Sequence, residues 1–451
     1  MTETRAAAIA DYHRLITADL AAADAQLAWL VEQQHARGAL FGGRPMATSL
    51  RPAFLSEATY RAVEATVFTL RRALQALADA YLTDPAVLDE LGLTELEREL
   101  LAIPTKVVQL SATTRLDAFM TADSFQFVEV NAECPAGLAY CHELAGIYRE
   151  LPLFRTFAAF RPVRFVSPLE HLLAGLLRVY HEEWGGAEER PSFAIVDFLN
   201  IPTYPEFLLI KSYFERHGCA CEIADPRMLE CRDGWIVANG RRVDVLYRRL
   251  LTNEFAAIRP ECRALLDGYR AGRTCFVNSF RTKFLHKKAV FALLTDPTYA
   301  SILDDHTRGV IRAHVPWTRR VREQRTEHGG ERVDLLPHLR RHREEFVLKP
   351  NDEYGGKGVV IGFAASPKEW DDALDRALRH GDVAQELVRV HREPFLLRGE
   401  GGWETVDQIV DLDPYLNGSL LGGCLVRISA TNLANVTAGG GSLPMFVLRE
   451  S

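Results

Sequence analysis

The stretch EEFVLKPNDEYGGKGVVIG, which runs from Glu344 to Gly362, decides the fold of this chain. An apolar run from Phe346 to Leu348 leads into Lys349, and a second apolar run, Val359 to Ile361, follows the glycines. Short aliphatic or β-branched runs on both sides of a Gly-rich segment predict a strand, a loop and a second strand.

The predicted loop has the chemistry of a polyphosphate site. Backbone N–H groups around Gly355, Gly356 and Gly358 can contact phosphate oxygens, while Lys349 and Lys357 supply positive charge. A Walker A loop is excluded because that motif needs Ser or Thr after its lysine and opens a helix. A protein-kinase site is excluded because its lysine follows the glycine loop. An ordinary Gly-rich hairpin is the alternative that this stretch alone leaves open.

A second polar constellation lies upstream, in TTRLDAFMTADSFQFVEVNAECPAG. Two alternating segments predict an antiparallel hairpin, and folding about Asp123 places Asp117 opposite Glu129 and Arg115 opposite Asn131. Cβ atoms of such pairs lie roughly 5 Å apart, so the oxygen side chains could bind Mg²⁺ shared with nucleotide phosphates. Arg115 could stabilise a phosphoryl group in transfer. The alternative is a solvent-facing hairpin with cross-strand salt bridges, but the nucleotide loop favours the metal site.

These motifs together resemble the circularly permuted ATP-grasp family, in particular the synthetase domain of glutathionylspermidine synthase. The family pattern R-x-D, a turn, then E-x-N-A-[DE]-x-P is present as Arg115-Leu-Asp117 and Glu129-Val-Asn131-Ala-Glu133-Cys-Pro135. In ordinary ATP-grasp proteins the metal ligands follow the lysine and the glycine loop, whereas here they precede both. This order indicates the permuted branch, and the resemblance covers roughly residues 105–451.

The resemblance implies an α/β (α+β) ATP-grasp fold and assigns roles to residues. It implies that Arg115 is catalytic, that Mg²⁺ (one or two ions) is bound by Asp117, Glu129 and Asn131, and that ATP is bound by Lys288, Lys349, Gly355, Gly356, Lys357, Gly358, Gln385 and Glu386. Lys287 is the alternative to Lys288, both on a helix predicted over residues 279–300. Arg427 and Asn435 occupy polar positions of the family's closing segment, without an assigned role.

Composition and pattern predict how the chain is organised. The 451 residues, 47% hydrophobic and 25% charged, are typical of a soluble globular protein with two or three domains. We expect a helical N-terminal section over residues 1–104, a first ATP-grasp segment with the hairpin over 105–185, a pre-ATP-grasp α/β unit over 186–275, and the ATP-binding part over 276–451. The N-terminal helices show no pattern of the amidase domain that is fused to some synthases.

Charge and cysteine usage restrict the partners. The net charge of −7 argues against general affinity for nucleic acid or acidic membranes, and acidic residues interrupt the Arg-rich stretch over residues 312–343. No apolar run has membrane-spanning length, and the N-terminus lacks the order of a signal peptide. The eight cysteines form no Cys-x-x-Cys pair, so we expect reduced thiols and a cytoplasmic protein.

The family likeness implies an ATP- and Mg²⁺-dependent carboxylate–amine ligase that forms an amide through an acyl phosphate. Its partners would be a small-molecule or peptide carboxylate and an amine. A kinase on the same scaffold and a non-catalytic nucleotide-binding protein are the alternatives. The identities of acid and amine are not encoded in a recognisable motif, and Tyr140, His142, Tyr204 and Arg248 are pocket candidates by proximity to the motifs.

Overall fold

The computed structural model of the protein describes residues 3–121, 124–431 and 440–449. Its α-helices are α1 (Glu3–Ala18), α2 (Leu20–Ala36), α3 (Glu57–Tyr81), α4 (Pro85–Glu90), α5 (Glu95–Leu101), α6 (Leu138–Glu150), α7 (Pro152–Phe160), α8 (Pro168–Arg178), α9 (Tyr204–Arg216), α10 (Thr252–Ala257), α11 (Arg263–Ala271), α12 (Lys283–His286), α13 (Val290–Thr295), α14 (Pro297–Ala300), α15 (Asp305–His314), α16 (Leu335–Arg341) and α17 (Pro367–His380).

The strands fall into several sheets. They are β1 (Leu40–Phe41), β2 (Arg44–Pro45), β3 (Ala53–Ser56), β4 (Thr113–Met120), β5 (Phe125–Asn131), β6 (Val163–Arg164), β7 (Phe193–Val196), β8 (Cys221–Ala224), β9 (Glu230–Arg232), β10 (Trp235–Ala238), β11 (Arg241–Arg242), β12 (Val245–Arg248), β13 (Cys275–Val277), β14 (Thr318–Arg320), β15 (Arg325–His328), β16 (Glu331–Asp334), β17 (Phe346–Lys349), β18 (Val360–Ile361), β19 (Val383–Glu386), β20 (Arg392–Gly399), β21 (Gly402–Asn417), β22 (Leu420–Ser429), β23 (Gly441–Leu443) and β24 (Met445–Leu448).

The N-terminal section is mainly helical, as its apolar spacing predicts. The longest helix, α3, begins where the Ser56 side chain accepts a hydrogen bond from the Thr59 N–H at 3.1 Å, a standard N-cap. Its apolar residues at helical spacing, including Val63, Val67 and Leu70, are buried in the main hydrophobic core. The helical face therefore packs against the rest of the molecule.

The predicted α/β unit contains a four-stranded parallel sheet in the order β13-β12-β7-β8. The parallel pairing is confirmed, and α9 forms the crossover between β7 and β8. Because both faces of such a sheet are covered, its strands are almost entirely apolar and buried. The carboxyl ends of β7 and β12 lead into loops that reach the cavity described below.

The strand, loop and strand predicted around the glycines are also confirmed. Strand β17 pairs antiparallel with β18 and with β19, and β14 completes the sheet beyond β19. Lys349 is the last residue of β17. Residues 350–359, here called the glycine loop, connect β17 to β18.

The predicted hairpin is formed by β4 and β5 in the predicted register. Asp117 pairs with Glu129 and Arg115 pairs with Asn131, while a bulge beyond Asp117 shifts the pairing by one residue. The turn residues Ala122 and Asp123 lie outside the described residues. The hairpin is one edge of a larger antiparallel sheet in the order β23-β22-β21-β4-β5, with β20 also paired to β21.

The single helix predicted over residues 279–300 is wrong, because the chain leaves the helix between α12 and α13. Lys287 has extended backbone geometry, with ψ of 128°. The N–H of Lys288 donates to the backbone carbonyl of Asn351 at 3.0 Å, and the N–H of Ala289 donates to the Asn351 side chain at 2.9 Å. These bonds to the glycine loop replace helical ones, so the break fixes the two segments together.

Remote parts of the chain meet at two further places. Strand β24 pairs in parallel with β3 and antiparallel with β6. Arg5 and Arg51 lie 2.6 and 2.7 Å from the carboxylate of buried Glu393, which joins α1 to β20. Over the described residues, no helix is long and apolar enough to cross a membrane.

Candidate active site

A cavity of about 770 Å³ lies between the hairpin β4–β5 and the sheet that contains β17 and β19. This volume falls within the usual range for small-ligand pockets. The structure brings all the predicted site residues to its lining except Gly358. Side chains from the hairpin, the break between α12 and α13, the glycine loop and β19 therefore face the same space.

Four adjacent strands of the larger sheet supply one charged wall of the cavity. Arg427 on β22 pairs in register with Asp411 on β21, and Asp413 follows two residues later on the same face. The next two strands contribute Arg115 with Asp117, then Glu129 with Asn131. Strand alternation thus aligns the polar side chains of four strands toward one ligand space.

Asp117 lies at the centre of this wall. Arg115 donates to both of its carboxylate oxygens, at 2.7 and 2.8 Å, and Arg427 donates to it at 2.9 Å. The Asn131 side chain donates to it at 3.0 Å. Burial opposes its charge, but Arg115 and then Arg427 outweigh that effect and lower the pKa of Asp117 to about 2. Asp117 is therefore a carboxylate at every physiological pH.

The sequence analysis missed Asp411 and Asp413. The Arg427 guanidinium lies 2.6 Å from Asp411 and 2.8 Å from Asp413. Burial raises the pKa of Asp411 to about 7 and raises the pKa of Asp413 well above its usual range. The signal that could have revealed them is the alternation in Val-Asp-Leu-Asp over residues 410–413, which puts two acidic side chains on one face of a strand.

Two of the predicted lysines face the cavity opposite this wall. The Lys349 ammonium donates to the Gln385 side chain at 2.6 Å and to the Val128 carbonyl at 3.2 Å, across to the hairpin. The Lys288 ammonium lies 3.2 Å from the Glu129 carboxylate. Burial lowers the pKa of Lys349 to about 8, because an ammonium removed from water is less stable. A bound polyphosphate would stabilise the charged form of Lys349.

Lys287, the alternative to Lys288, points into the interior instead. Its ammonium lies 2.8 Å from Asp352 and 3.0 Å from Glu97. It does not line the cavity, whereas Lys288 does. The extended geometry at Lys287 turns the two consecutive side chains in different directions.

The glycine loop uses left-handed backbone conformations. Gly355, Gly356 and Gly358 have φ of 66°, 72° and 72°, which side-chain-bearing residues adopt rarely. A Cβ atom at Gly358 would lie 2.8 Å from a ring carbon of Pro350. Gly358 does not line the cavity, and its carbonyl accepts a hydrogen bond from Arg376 on α17 at 2.8 Å.

The hinge strand β19 forms the wall beyond Lys349. The Gln385 amide donates to the Thr318 hydroxyl at 3.0 Å. One oxygen of Glu386 lies 2.8 Å from a ring nitrogen of His328, and the other accepts the Trp317 N–H at 3.2 Å. Glu386 is thereby oriented by β15 and by the residue that precedes β14. Sequence reasoning did not reveal this support.

The three residues predicted to bind Mg²⁺ lie together on the hairpin β4–β5. Within the described ranges, no three His, Cys, Asp or Glu side chains converge as a metal site. Glu129, Asn131 and Asp117 nevertheless line one cavity with two carboxylates and an amide, the hard oxygen donors that Mg²⁺ prefers. The donor set therefore fits the ion, with Asp117 also bonded to two guanidinium groups.

The other residues predicted to lie near the pocket differ in whether they line the cavity. Tyr140 lines the cavity, but Tyr204 and His142 do not, and His142 bonds instead to the Ser167 hydroxyl at 2.7 Å. Arg248 is wrong as a pocket residue, because it is fully buried and lies 3.1 Å from the buried Glu133 carboxylate. Asn435 lies outside the described residues.

The cavity continues beyond Asp117 to an acidic end near the carboxyl edge of the parallel sheet. Asp197, Glu254 and Tyr354 contribute to this end. Burial raises the pKa of Asp197 to about 7. The nearby Arg249 is engaged elsewhere, donating to Glu206 at 3.2 Å and to the Tyr247 hydroxyl at 3.1 Å.

The fold and this cavity define a protein of the ATP-grasp class. The family described as a circularly permuted ATP-grasp matches residues 108–384, and the chain belongs to this family. The match includes the hairpin, Lys288, Lys349, the glycine loop and the first part of β19.

Individual relatives agree with this assignment. An apo-form glutathione synthetase-like effector from Globodera pallida superimposes with a TM-score of 0.63 at 13% identity, covering 94% of this chain and 96% of the other. An uncharacterized Synechocystis protein is 28% identical over 53% of this chain and 51% of its own length. A putative glutamate–cysteine ligase of Frankia casuarinae is 32% identical over 34% of this chain and 17% of its own. The chain spans about half the length of the first curated relatives that it matches.

Proposed function

We propose that the protein is an ATP- and Mg²⁺-dependent carboxylate–amine ligase that forms an amide bond through an acyl phosphate. One observation carries this proposal: two lysines and a wall of acids and guanidiniums face each other across one cavity. Phosphoryl transfer depends on positioning and charge neutralisation more than on a protein nucleophile. The name of the Frankia relative, a putative glutamate–cysteine ligase, supports the same class of reaction.

We assign the following roles within this proposal. Lys288 and Lys349 bind ATP phosphates, and Gln385 and Glu386 contact the adenine and ribose. The glycine loop, with Gly355 to Gly358 and Lys357, closes over the phosphates as a lid. Its base is fixed by the hydrogen bonds from Lys288 and Ala289 to Asn351.

The charged wall acts on the transferred group. Asp117, Glu129 and Asn131 would hold Mg²⁺, which neutralises phosphate charge when bound. Arg115 stabilises the transferred phosphoryl, and Arg427, which lines the same wall, supplies a second guanidinium. A substrate carboxylate attacks the γ-phosphorus, giving an acyl phosphate and ADP. The amine, in its neutral form, then attacks the acyl carbon, the C–O bond to phosphate breaks, phosphate leaves with that electron pair, and the new amide nitrogen releases one proton to the leaving phosphate.

The experiment is ATP turnover with mixtures of candidate acids and amines. With an acid labelled by ¹⁸O in its carboxylate, the proposal predicts that one label appears in inorganic phosphate and that an amide accumulates. A stable phosphate ester without label transfer would instead identify a kinase. Calorimetry that detects no Mg²⁺-dependent ATP binding would overturn the nucleotide assignment altogether.

Glu129→Gln tests the metal assignment within the same assay. This change removes a carboxylate that faces the cavity but keeps its size, so we expect turnover to fall roughly a hundredfold. Glu188→Gln is the matched control, since Glu188 is exposed and does not line the cavity. Equal turnover in both variants would contradict the role of Glu129.

A further inference from the structure

The acidic end of the cavity contains a carboxylate, Asp197, whose burial is only partly offset by the charge of Arg249. Asp197 is 6% exposed, and one of its oxygens accepts the N–H of its neighbour Phe198 at 2.7 Å. Among the described residues, no cationic side chain lies within ion-pair distance of it. A buried acid without an ion-pair partner is costly, and this cost appears in the pKa of about 7 that burial gives Asp197.

A second carboxylate faces the same space. Glu254, on the first turn of α10, lines the cavity, and its negative charge adds to the rise in the pKa of Asp197. One Glu254 oxygen accepts the Leu251 N–H at 3.0 Å. The acidic end therefore offers two carboxyl groups with hydrogen-bonding capacity to a ligand.

The nearest guanidinium does not make this end suitable for an anion. Arg249 lines the cavity, but its two terminal nitrogens donate to the Pro135 carbonyl, the Tyr247 hydroxyl and the Glu206 carboxylate. Another part of the cavity lining has the reverse polarity, with Lys288 and Lys349. One cavity thus has a cationic end for phosphates and an acidic end for a cation.

The glycine loop connects the two ends. Tyr354, which belongs to this loop, lines the cavity, and Glu254, Cys134 and Asp197 all act on its hydroxyl. After burial, these three groups contribute to raising the pKa of Tyr354. The part of the loop that covers phosphates in our proposal therefore also borders the acidic end.

We propose that Asp197 and Glu254 form the binding subsite for the positively charged amino group of the amine substrate. This inference rests on the proposed function, since it names the group that the second substrate presents. An ammonium would give Asp197 an ion-pair partner and donate up to three hydrogen bonds. The proton that it must lose before its nitrogen can attack passes to the Asp197 or Glu254 carboxylate. The substrate class is thus a primary or secondary amine that enters as a cation, next to the acyl phosphate formed at the charged wall.

The test uses three probes of similar size and different charge: propylammonium, propan-1-ol and propanoate. Their binding to the full chain is measured by NMR titration. We expect propylammonium to bind and the other two not to bind. Asp197→Asn should raise the dissociation constant of propylammonium roughly tenfold or more, because a charge-assisted hydrogen bond is lost. Glu254→Gln is the second variant, and Glu188→Gln is the control expected to match the wild type.

Calorimetric ATP binding by each variant shows whether its fold is intact. The subsite is overturned if propylammonium does not bind the wild type, if neither substitution weakens its binding, or if propanoate binds and depends on Asp197. The proposed function fails separately: propylammonium binding that depends on Asp197, in a protein without Mg²⁺-dependent ATP binding, would keep the subsite and remove the ligase. If ATP-dependent amide formation is unchanged in both variants, the ligase function is kept and the subsite is overturned.

Discussion

Two clusters of acidic and basic side chains lie beside β5 and the segment that follows it, and they differ in their numbers of acidic and basic groups. The scaffold cluster has three acids and three cations, namely Glu97, Glu133, Asp352, Lys283, Lys287 and Arg248. The cavity cluster has three acids and only two cations, namely Asp117, Asp411, Asp413, Arg115 and Arg427.

One short segment contributes side chains to both clusters, so a functional role and a structural role lie two residues apart. Asn131 faces the cavity, whereas Glu133, two residues later, is fully buried among the scaffold cations. Balanced charges that are closed off from solvent stabilise the junction between β5, α10 and α12. A surplus of acid beside a cavity is a feature that a bound cation can use.

The largest expected effect is that of Glu133→Gln on stability. Arg248, 3.1 Å from Glu133, would lose its buried counter-charge, and Lys283, at 3.2 Å, would lose one of the three acids around it. We expect the free energy of unfolding to fall by about 3–5 kcal/mol, measured by denaturant titration. Glu99→Gln is the control, because this exposed acid pairs with Arg259 and Arg270 and should change the value by less than about 1 kcal/mol. A small effect of Glu133→Gln would remove the distinction between the clusters.

Asp117→Asn should reduce activity with a smaller loss of stability than Glu133→Gln. Of the described acids, Arg115 would keep only Asp413 nearby, at 4.0 Å, so we expect the free energy of unfolding to fall by roughly 2 kcal/mol. Turnover of ATP should fall about a hundredfold, equivalent to ~2.7 kcal/mol of transition-state stabilisation. Destabilisation as large as that of Glu133→Gln would show that both clusters are structural.

Two lysines of the proposed ATP site, Lys349 and Lys357, differ in their exposure. We expect their substitution to have a smaller effect, on ATP binding. Lys349 is enclosed between Gln385 and the Val128 carbonyl, while the Lys357 side chain is 78% exposed near Glu353. We expect Lys349→Met to weaken ATP binding about tenfold and Lys357→Met less than about threefold, because water screens the exposed charge. Calorimetry on the two variants checks the order, and equal effects would contradict it.

The smallest effect concerns the support of Glu386. His328→Phe keeps the ring that packs against Trp317 but removes the nitrogen 2.8 Å from Glu386. We expect the KM for ATP to rise about threefold with kcat unchanged, since about 0.7 kcal/mol is typical for one hydrogen bond. His342→Phe, which removes only the contact with Glu345, is the control. A fall in kcat for His328→Phe would mean that Glu386 does more than position the nucleotide.

The sequence predicted the local part of the site well. The register of Asp117 against Glu129 follows from strand alternation and one tight turn, both set by neighbouring residues. The strand, loop and strand at Lys349 are local for the same reason.

The rest of the site depends on long-range contacts. Asp411 and Asp413 reach Asp117 because β21 pairs with β4, a partner that no local pattern specifies. The direction of Lys288 depends on Asn351, whose bonds interrupt a segment with good helical spacing. Glu133 and Arg248 belong to sequence motifs, yet their burial against each other gives them a structural role.

The pairing of β24 with β3 has a consequence for biosynthesis. Strand β3 is translated well before its parallel partner β24, with most of the described chain made between the two. Until then, the apolar residues of β3, such as Phe54 and Leu55, lack the neighbours that bury them in the finished protein. Non-local pairing of this kind delays folding and leaves aggregation-prone apolar surface exposed on the nascent chain. A chaperone that covers apolar segments of the nascent chain should therefore increase the soluble yield of this protein.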